Sequence, residues 1–175
     1  MSSSQPILES SFNDLYNSTV VAFPNCSLRQ NATHPIVITK LEWTPFLGMQ
    51  TLMVKGLAQN KHNGHEHNCF VVFKNVNYHA KHSRGLIEII DQMNKHYLLE
   101  RLSNESTQVL VRCSCGDFSW RGIHWNHEKK SLFGRDRKKY EALYSPGSAN
   151  PTESEILCKH LIKIFKVLNE ANLIS

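Results

Sequence analysis

The chain has 175 residues, a length that favours one domain and allows a hydrophobic core of useful size. Its apolar content is 41%, and it contains no run of about 18 apolar residues, so the sequence predicts neither a membrane span nor a membrane partner. The net charge of +5 permits nucleic acid or an acidic protein surface as a partner and requires neither.

The N-terminus lacks a basic segment followed by an apolar one, so we expect no secretory signal. The chain has five cysteines, an odd number, and two of them form a C-x-C pair. This usage indicates a reducing compartment better than a disulfide framework. Cys26 and Cys69 are then expected to be free thiols.

Taken in order, residues 1–33 are rich in Ser and Asn with short apolar islands, which predicts a polar N-terminal arm that packs on another surface. From residue 34 to residue 175 we expect a single domain. Apolar runs bounded by turn residues predict strands over residues 36–43, 51–59, 69–76, 86–90, 97–102 and 107–113. The short spacing between these runs is typical of an antiparallel meander.

The last predicted element is an amphipathic helix. Its apolar residues recur at helical spacing and form one stripe: Leu157, Leu161, Ile164, Phe165 and Leu168. Thr152 and Glu155 have the spacing of a capping box, which would start the helix earlier. We place only a short turn at 152–156 and begin the main helix near 158, because Cys158 and His160 cannot both lie inside a regular helix and face one ion.

Two close pairs of metal-ligand residues flank the region between the last strand and this helix: Cys113-x-Cys115 and Cys158-x-His160. In an extended strand, residues i and i+2 point to the same face, so both sulfurs of the first pair can reach one ion. Within a helix the second pair would diverge by roughly 200°, so Cys158 must lie in the turn that enters the helix. Thiolates and an imidazole are zinc ligands, and four protein ligands indicate a structural rather than a catalytic ion. The alternative is two buried free cysteines beside an unrelated C-x-H.

The pattern resembles the SWIM-type zinc finger, a C-x-C…C-x-H module on a ββα unit, and Phe118 and Leu161 also fit it. Residues 116–157 separate the two pairs, which is longer than the usual spacing and implies a finger over 107–171 with an insert at 119–156. The wider run is similar to small SWIM-like proteins of tailed bacteriophages. It contains the segments TLMVKG, FVVFKNVNY, VLVRCSCGDF and KSLFGRDRKKYEA. This resemblance implies zinc binding, association with the virion or location in the host cytoplasm, and other virion or assembly proteins as partners.

The resulting fold class is α+β. We expect an antiparallel β-meander sheet over 36–113, a zinc-finger ββα unit with a long insert, and a C-terminal helix packed on the sheet. Asp117 is a candidate to orient His160 through a hydrogen bond.

The insert mixes cations with aromatic side chains. Basic groups neutralise phosphates and aromatic rings stack on bases, so the mixture suits nucleic acid or a protein partner, and a solvated loop is the alternative. The candidate contact residues are Trp120, Arg121, Trp125, Lys129, Lys130, Arg135, Arg137, Lys138 and Lys139.

Two further constellations are weaker. One is a second metal site at His62, His65, His67 and Cys69, in a predicted hairpin turn. The other is a metal-dependent nuclease or hydrolase built from His124, His127, Asp117 and Glu128, whose chemistry would need an open metal position.

No nuclease motif, nucleophile elbow or phosphate-cradling loop is present, so we expect no enzyme and no small-molecule substrate. The sequence therefore predicts a non-enzymatic zinc-binding interaction protein of the virion, with a nucleic-acid-binding regulator as the alternative.

Overall fold

The computed structural model describes residues 9–24, 33–138 and 149–175. A four-stranded antiparallel sheet has the order β1-β2-β3-β7, and a three-stranded antiparallel sheet has the order β4-β6-β5. The strands are β1 (Ile36–Phe46), β2 (Thr51–Asn60), β3 (Glu66–Phe73), β4 (Tyr78–His79), β5 (Leu86–Ile90), β6 (His96–Glu100) and β7 (Val109–Cys113). The helices are α1 (Phe12–Ala22), α2 (Gly116–Arg121), α3 (Ile123–Glu128) and α4 (Lys159–Glu170).

This architecture confirms the predicted α+β class with antiparallel strands and a C-terminal helix. The meander prediction holds for β1, β2 and β3 only. β7 pairs directly with β3, with Phe73 opposite Val109, and the chain between them forms the separate three-stranded sheet. The residues assigned to one sheet over 36–113 therefore lie in two sheets, because the ladder between β3 and β7 leaves no room for β4, β5 and β6.

Helix α4 covers one face of the four-stranded sheet with the predicted apolar stripe. All five stripe residues are buried, and Phe73 of β3 meets Phe165 edge to face with ring centres 6.2 Å apart. The helix lies so close to β2 that a Cβ atom at Gly56 would overlap Ile164 Cδ1. A larger residue at this position would force the Ile164 side chain to move.

Helix α1 is an element that the sequence analysis does not predict. A reciprocal capping box between Ser11 and Asp14 begins it, Leu15 is fully buried, and Phe12 stacks on Phe165 at 4.0 Å. The described part of residues 1–33 therefore packs on the chain's own C-terminal helix. Residues 1–8 and 25–32, with Cys26, lie outside the described residues.

Candidate metal centre

The first pair of candidate ligands lies where β7 turns into α2. Cys113 is the last residue of β7, and Cys115 is the N-cap of α2 with an extended backbone (φ −70°, ψ 151°). The Cys115 amide donates to Cys113 Sγ at 3.5 Å, and the Phe118 amide donates to Cys115 Sγ at 3.3 Å. Both sulfurs accept backbone hydrogen bonds, and the bond from the Phe118 amide helps to lower the pKa of Cys115.

The second pair lies at the start of α4. Cys158 is the N-cap with an extended backbone (φ −88°, ψ 165°), and His160 is in the first turn of the helix. The prediction that Cys158 lies in the turn entering the helix is confirmed, and so is the helix start near 158. The extended N-cap changes the direction of the chain, which lets two residues at i and i+2 face one point.

Residues 156–158 lie outside both sheets, and side chains form hydrogen bonds with the backbone of residues 156 and 157. The carboxamide of Asn126 in α3 donates to the Ile156 carbonyl at 3.1 Å and accepts from the Ile156 amide at 2.9 Å. The hydroxyl of Thr19 in α1 accepts from the Leu157 amide at 2.8 Å. Asn126 and Thr19 are both fully buried, so these bonds replace the strand partner that the segment lacks.

The four candidate ligand atoms converge. The sulfurs of Cys113, Cys115 and Cys158 and a ring nitrogen of His160 all lie within 4.8 Å of one another, and all four residues are buried. His160 Nδ1 is 3.8 Å from Cys113 Sγ and 3.9 Å from Cys158 Sγ. Metal bonds of about 2.0–2.3 Å in a tetrahedron give ligand-to-ligand separations of roughly 3.5–3.8 Å. The donor set and its spacing fit a zinc-type ion, so the cluster can hold a metal and is compatible with a zinc finger.

The three thiols of the cluster differ in the direction of their pKa shifts. Hydrogen bonds from Cys113 and then Cys158 hold the pKa of Cys115 far below its usual value. Burial raises the pKa of Cys113 and of Cys158 well above the usual thiol range. The Cys115 sulfur thus has hydrogen bonds with the thiols of Cys113 and Cys158. Metal binding would have to displace the protons of those two thiols.

Two residues of the weaker His/Cys constellation lie beside this cluster. His67 in β3 has its ring centre 4.5 Å from that of His160, and burial followed by the nearby His160 lowers the pKa of His67. Cys69 Sγ lies 3.5 Å from Cys113 Sγ. His62 and His65 are exposed, next to the β2–β3 turn. Among the described residues, the Cys113 cluster is the one group of three or more His, Cys, Asp or Glu side chains placed to hold a metal, so a second site at the His62 constellation is not formed.

A cavity of about 360 Å³ opens next to the cluster. It is lined by Cys115, Gly116, Asp117, Trp120, Arg121, Cys158, Lys159 and His160. Asp117 pairs with Arg121 at 3.4 Å, so its role in orienting His160 stays a prediction. Trp120 is 54% exposed and offers a large aromatic surface beside the cavity.

The insert residues fall into two groups. Arg121 packs over the ring of Phe23 at 5.3 Å, and Trp125 is half-buried with its ring against that of His124. The exposed group comprises Trp120, Lys129, Lys130, Arg135, Arg137 and Lys138. Lys139 lies outside the described residues. Binding of a partner by these residues stays a prediction.

The two histidines of the nuclease hypothesis lie near an acid that the hypothesis did not include. His124 Nδ1 and His127 Nδ1 lie 3.7 and 3.5 Å from Asp136 Oδ2, and His127 Nδ1 lies 3.8 Å from Glu128 Oε1. The acid that both imidazoles face is Asp136, which the sequence analysis missed. Asn126 and Thr19 were missed as well, because an interior Asn or Thr carries no sequence signal until the segment it supports is placed.

Comparison of the chain with protein-family models, with curated proteins and with solved structures finds no match. In the part of the chain that the structure describes, no helix has both the length and the apolar character needed to cross a bilayer.

Proposed function

We propose that the protein is a non-enzymatic zinc-binding interaction protein whose ion is structural. The observation that carries the proposal is the convergence of three sulfurs and one imidazole nitrogen within 4.8 Å, with all four residues buried. Four protein donors fill a tetrahedral shell and leave no position for a substrate, which is the arrangement of structural zinc sites. Soft thiolates with one imidazole favour zinc over harder divalent ions.

In this arrangement the ion ties together the end of β7, the start of α2 and the start of α4. Cys113 and Cys115 belong to the β7–α2 turn, whereas Cys158 and His160 begin α4. The insert leaves and returns on either side of the site, so the ion fixes the base from which the insert is displayed. Zinc sites of this type contribute on the order of 10 kcal/mol of apparent binding free energy, which is available to the fold.

The test is metal analysis of the purified full chain. We expect one zinc per chain by elemental analysis, and cobalt substitution should give thiolate-to-cobalt charge transfer with tetrahedral d–d bands. Cys113→Ser and Cys158→Ser should each lose most of this signal, whereas Cys26→Ser serves as the cysteine control. A chain that purifies without metal and takes up neither zinc nor cobalt contradicts the proposal.

The interaction partner we propose is protein, in an assembly. The exposed Trp120 next to the metal-site cavity, with Lys159 on the same cavity wall, supports a surface for another chain. The resemblance to small SWIM-like phage proteins extends this proposal to other virion or assembly proteins. The chain should then co-sediment with purified particles at a fixed copy number, and Trp120→Ala should reduce that copy number while leaving the zinc content unchanged.

A nucleic-acid-binding regulator is the second candidate, because the insert carries the exposed Trp120 and five exposed cations: Lys129, Lys130, Arg135, Arg137 and Lys138. Binding measured across a salt series tests it, since affinity for nucleic acid falls with salt in proportion to the phosphates neutralised. Absence of binding to single- and double-stranded DNA and RNA at low salt removes this candidate. Metal-dependent turnover that survives Cys113→Ser but is lost in His124→Ala would instead show an enzyme.

A further inference from the structure

A fourth sulfur lies against the metal centre without belonging to it. Cys69 in β3 is fully buried, and its Sγ is 3.5 Å from Cys113 Sγ, yet it is not among the four atoms that converge on one point. Its position leaves it a free thiol when the other three sulfurs hold a metal. Among the four cysteines that the structure describes, Cys69 is therefore the one that would not bind a zinc ion held by the cluster.

The backbones of Cys69 and Cys113 have the relation that a disulfide requires. The two residues are directly opposite in the β3–β7 ladder, and the Ser114 amide donates to the Asn68 carbonyl at 2.9 Å. This bond joins the residues flanking the pair, which makes Cys69 and Cys113 a non-hydrogen-bonded pair with Cα atoms about 4.5 Å apart. Disulfides span Cα separations of about 4.4–6.8 Å, so the bond can form without moving the strands.

We propose that Cys69 and Cys113 are an oxidative modification site: in the metal-free protein they form a disulfide that takes Cys113 away from zinc. The proposal rests on the proposed zinc binding for its consequence, because a disulfide-bonded Cys113 no longer supplies a thiolate. The geometry of the disulfide depends only on the two opposed cysteines and not on zinc binding.

A low-molecular-weight disulfide such as glutathione disulfide is the oxidant. Cys115 is one of the residues that line the cavity, so we take its sulfur as the group that attacks the oxidant, which releases one glutathione thiolate and leaves a mixed disulfide. Cys113 then attacks Cys115 Sγ and releases the second glutathione thiolate, and Cys69 attacks Cys113 Sγ and returns Cys115 as a thiolate. In sum, two protein thiols lose two electrons and two protons, one protein disulfide forms, and two molecules of glutathione are produced.

The final exchange favours the cross-strand pair on geometric grounds. A disulfide between Cys113 and Cys115 closes a small ring with one residue between the cysteines, which strains it. The Cys69–Cys113 bond instead joins two strands that hydrogen bonds already hold in place. Zinc should oppose the reaction, because it occupies Cys115 and Cys113 and leaves neither free to attack.

The experiment equilibrates the full chain in glutathione redox buffer with and without a zinc chelator, then traps free thiols and maps disulfides by mass spectrometry. Trypsin places Cys69 in the peptide of residues 62–74 and both Cys113 and Cys115 in the peptide of residues 113–121, so fragmentation between those two cysteines assigns the partner. We expect a Cys69–Cys113 link in the chelated sample, little in the zinc-loaded one, and loss of zinc rebinding until a reductant is added.

Cys69→Ser is the matched variant, and its zinc content is measured before oxidation. Without Cys69 the exchange should stop at the Cys113–Cys115 disulfide or its mixed-disulfide precursor, whereas the Cys26→Ser control should give the Cys69–Cys113 link, as the unmodified chain does. A link between Cys115 and Cys158, or a Cys69 that stays free in the oxidised metal-free chain, overturns the proposal. If the chain binds no zinc at all, the proposed function fails, whereas the mapped link still decides the disulfide separately.

Discussion

The two halves of the candidate metal centre, Cys113 with Cys115 and Cys158 with His160, have different backbone support. Cys113 ends a strand whose ladder with β3 runs from Phe73 to Cys69, and the other edge of β7 is bonded to Ser131 and Phe133 through Val111. Cys158 follows a segment that has no strand beside it and depends on the side chains of Asn126 and Thr19. The first half is placed by the sheet, and the second half is placed by two side chains from separate helices.

This difference indicates how the site depends on its surroundings. The sheet half should keep its shape without metal, since backbone pairs hold it. The segment half draws on α1 and α3, so the N-terminal helix and the insert both contribute to placing Cys158 and His160. Metal binding and packing of these two helices are therefore coupled through Ile156 and Leu157.

Removal of zinc should have the largest effect and should affect the two halves unequally. On the order of 10 kcal/mol of apparent binding free energy corresponds to a fall in Tm on the order of 20 °C for a chain of this size. Hydrogen exchange should rise at Leu157 and Leu161 more than at Val109 and Val111, because β7 keeps its ladder. Equal increases in both halves would contradict the comparison, and Cys158→Ser should reproduce the pattern of the chelated chain.

Asn126→Ala should have the next largest effect, because it leaves the amide and the carbonyl of Ile156 buried and unpaired. Each such group costs about 1–3 kcal/mol, so the free energy of unfolding should fall by roughly 2–6 kcal/mol. Denaturant unfolding of the zinc-free chain measures it. The exposed Asn77, which bonds Glu100, supplies the control, and Asn77→Ala should change stability by less than about 0.5 kcal/mol.

The pH dependence of zinc affinity reports the protons held by the cluster. Burial raises the pKa of Cys113 and Cys158, and zinc requires their thiolates, so affinity should fall as pH falls. With Cys115 already a thiolate, about two protons should leave per zinc, which gives up to about 100-fold in affinity per pH unit. Calorimetry in buffers of different ionisation enthalpy counts these protons. Release of fewer than one proton per zinc would contradict the raised pKa values of Cys113 and Cys158.

Thr19→Val should have the smallest effect of the four. It removes the hydroxyl that accepts from the Leu157 amide, so one buried group loses its partner, at a cost of about 1–2 kcal/mol. Thr19→Ser keeps the hydroxyl and should be closer to the unmodified chain. If Val and Ser have the same effect on unfolding, the hydroxyl does not support the segment and packing alone explains the position.

Sequence reasoning reached the metal centre through local rules. The i, i+2 spacing of each pair, the apolar stripe from Leu157 to Leu168 and the conflict between a capping box and the ligand geometry together placed Cys158 at the helix entrance. Those rules act within a few residues of the chain. The same reasoning missed α1, although Ser11 and Asp14 carry a capping box, because the polar composition around it suggested an arm.

The sequence by itself determined the candidate ligand pairs, most of the strands and the last helix, since periodicity and spacing are properties of short segments. Only the tertiary structure decided that β7 pairs with β3, which splits the strands into two sheets and brings Cys69 against Cys113. It also decided that Asn126 and Thr19 support the segment leading to Cys158. These contacts join residues far apart in the chain, so their energies depend on how whole elements pack and leave no trace in any local pattern.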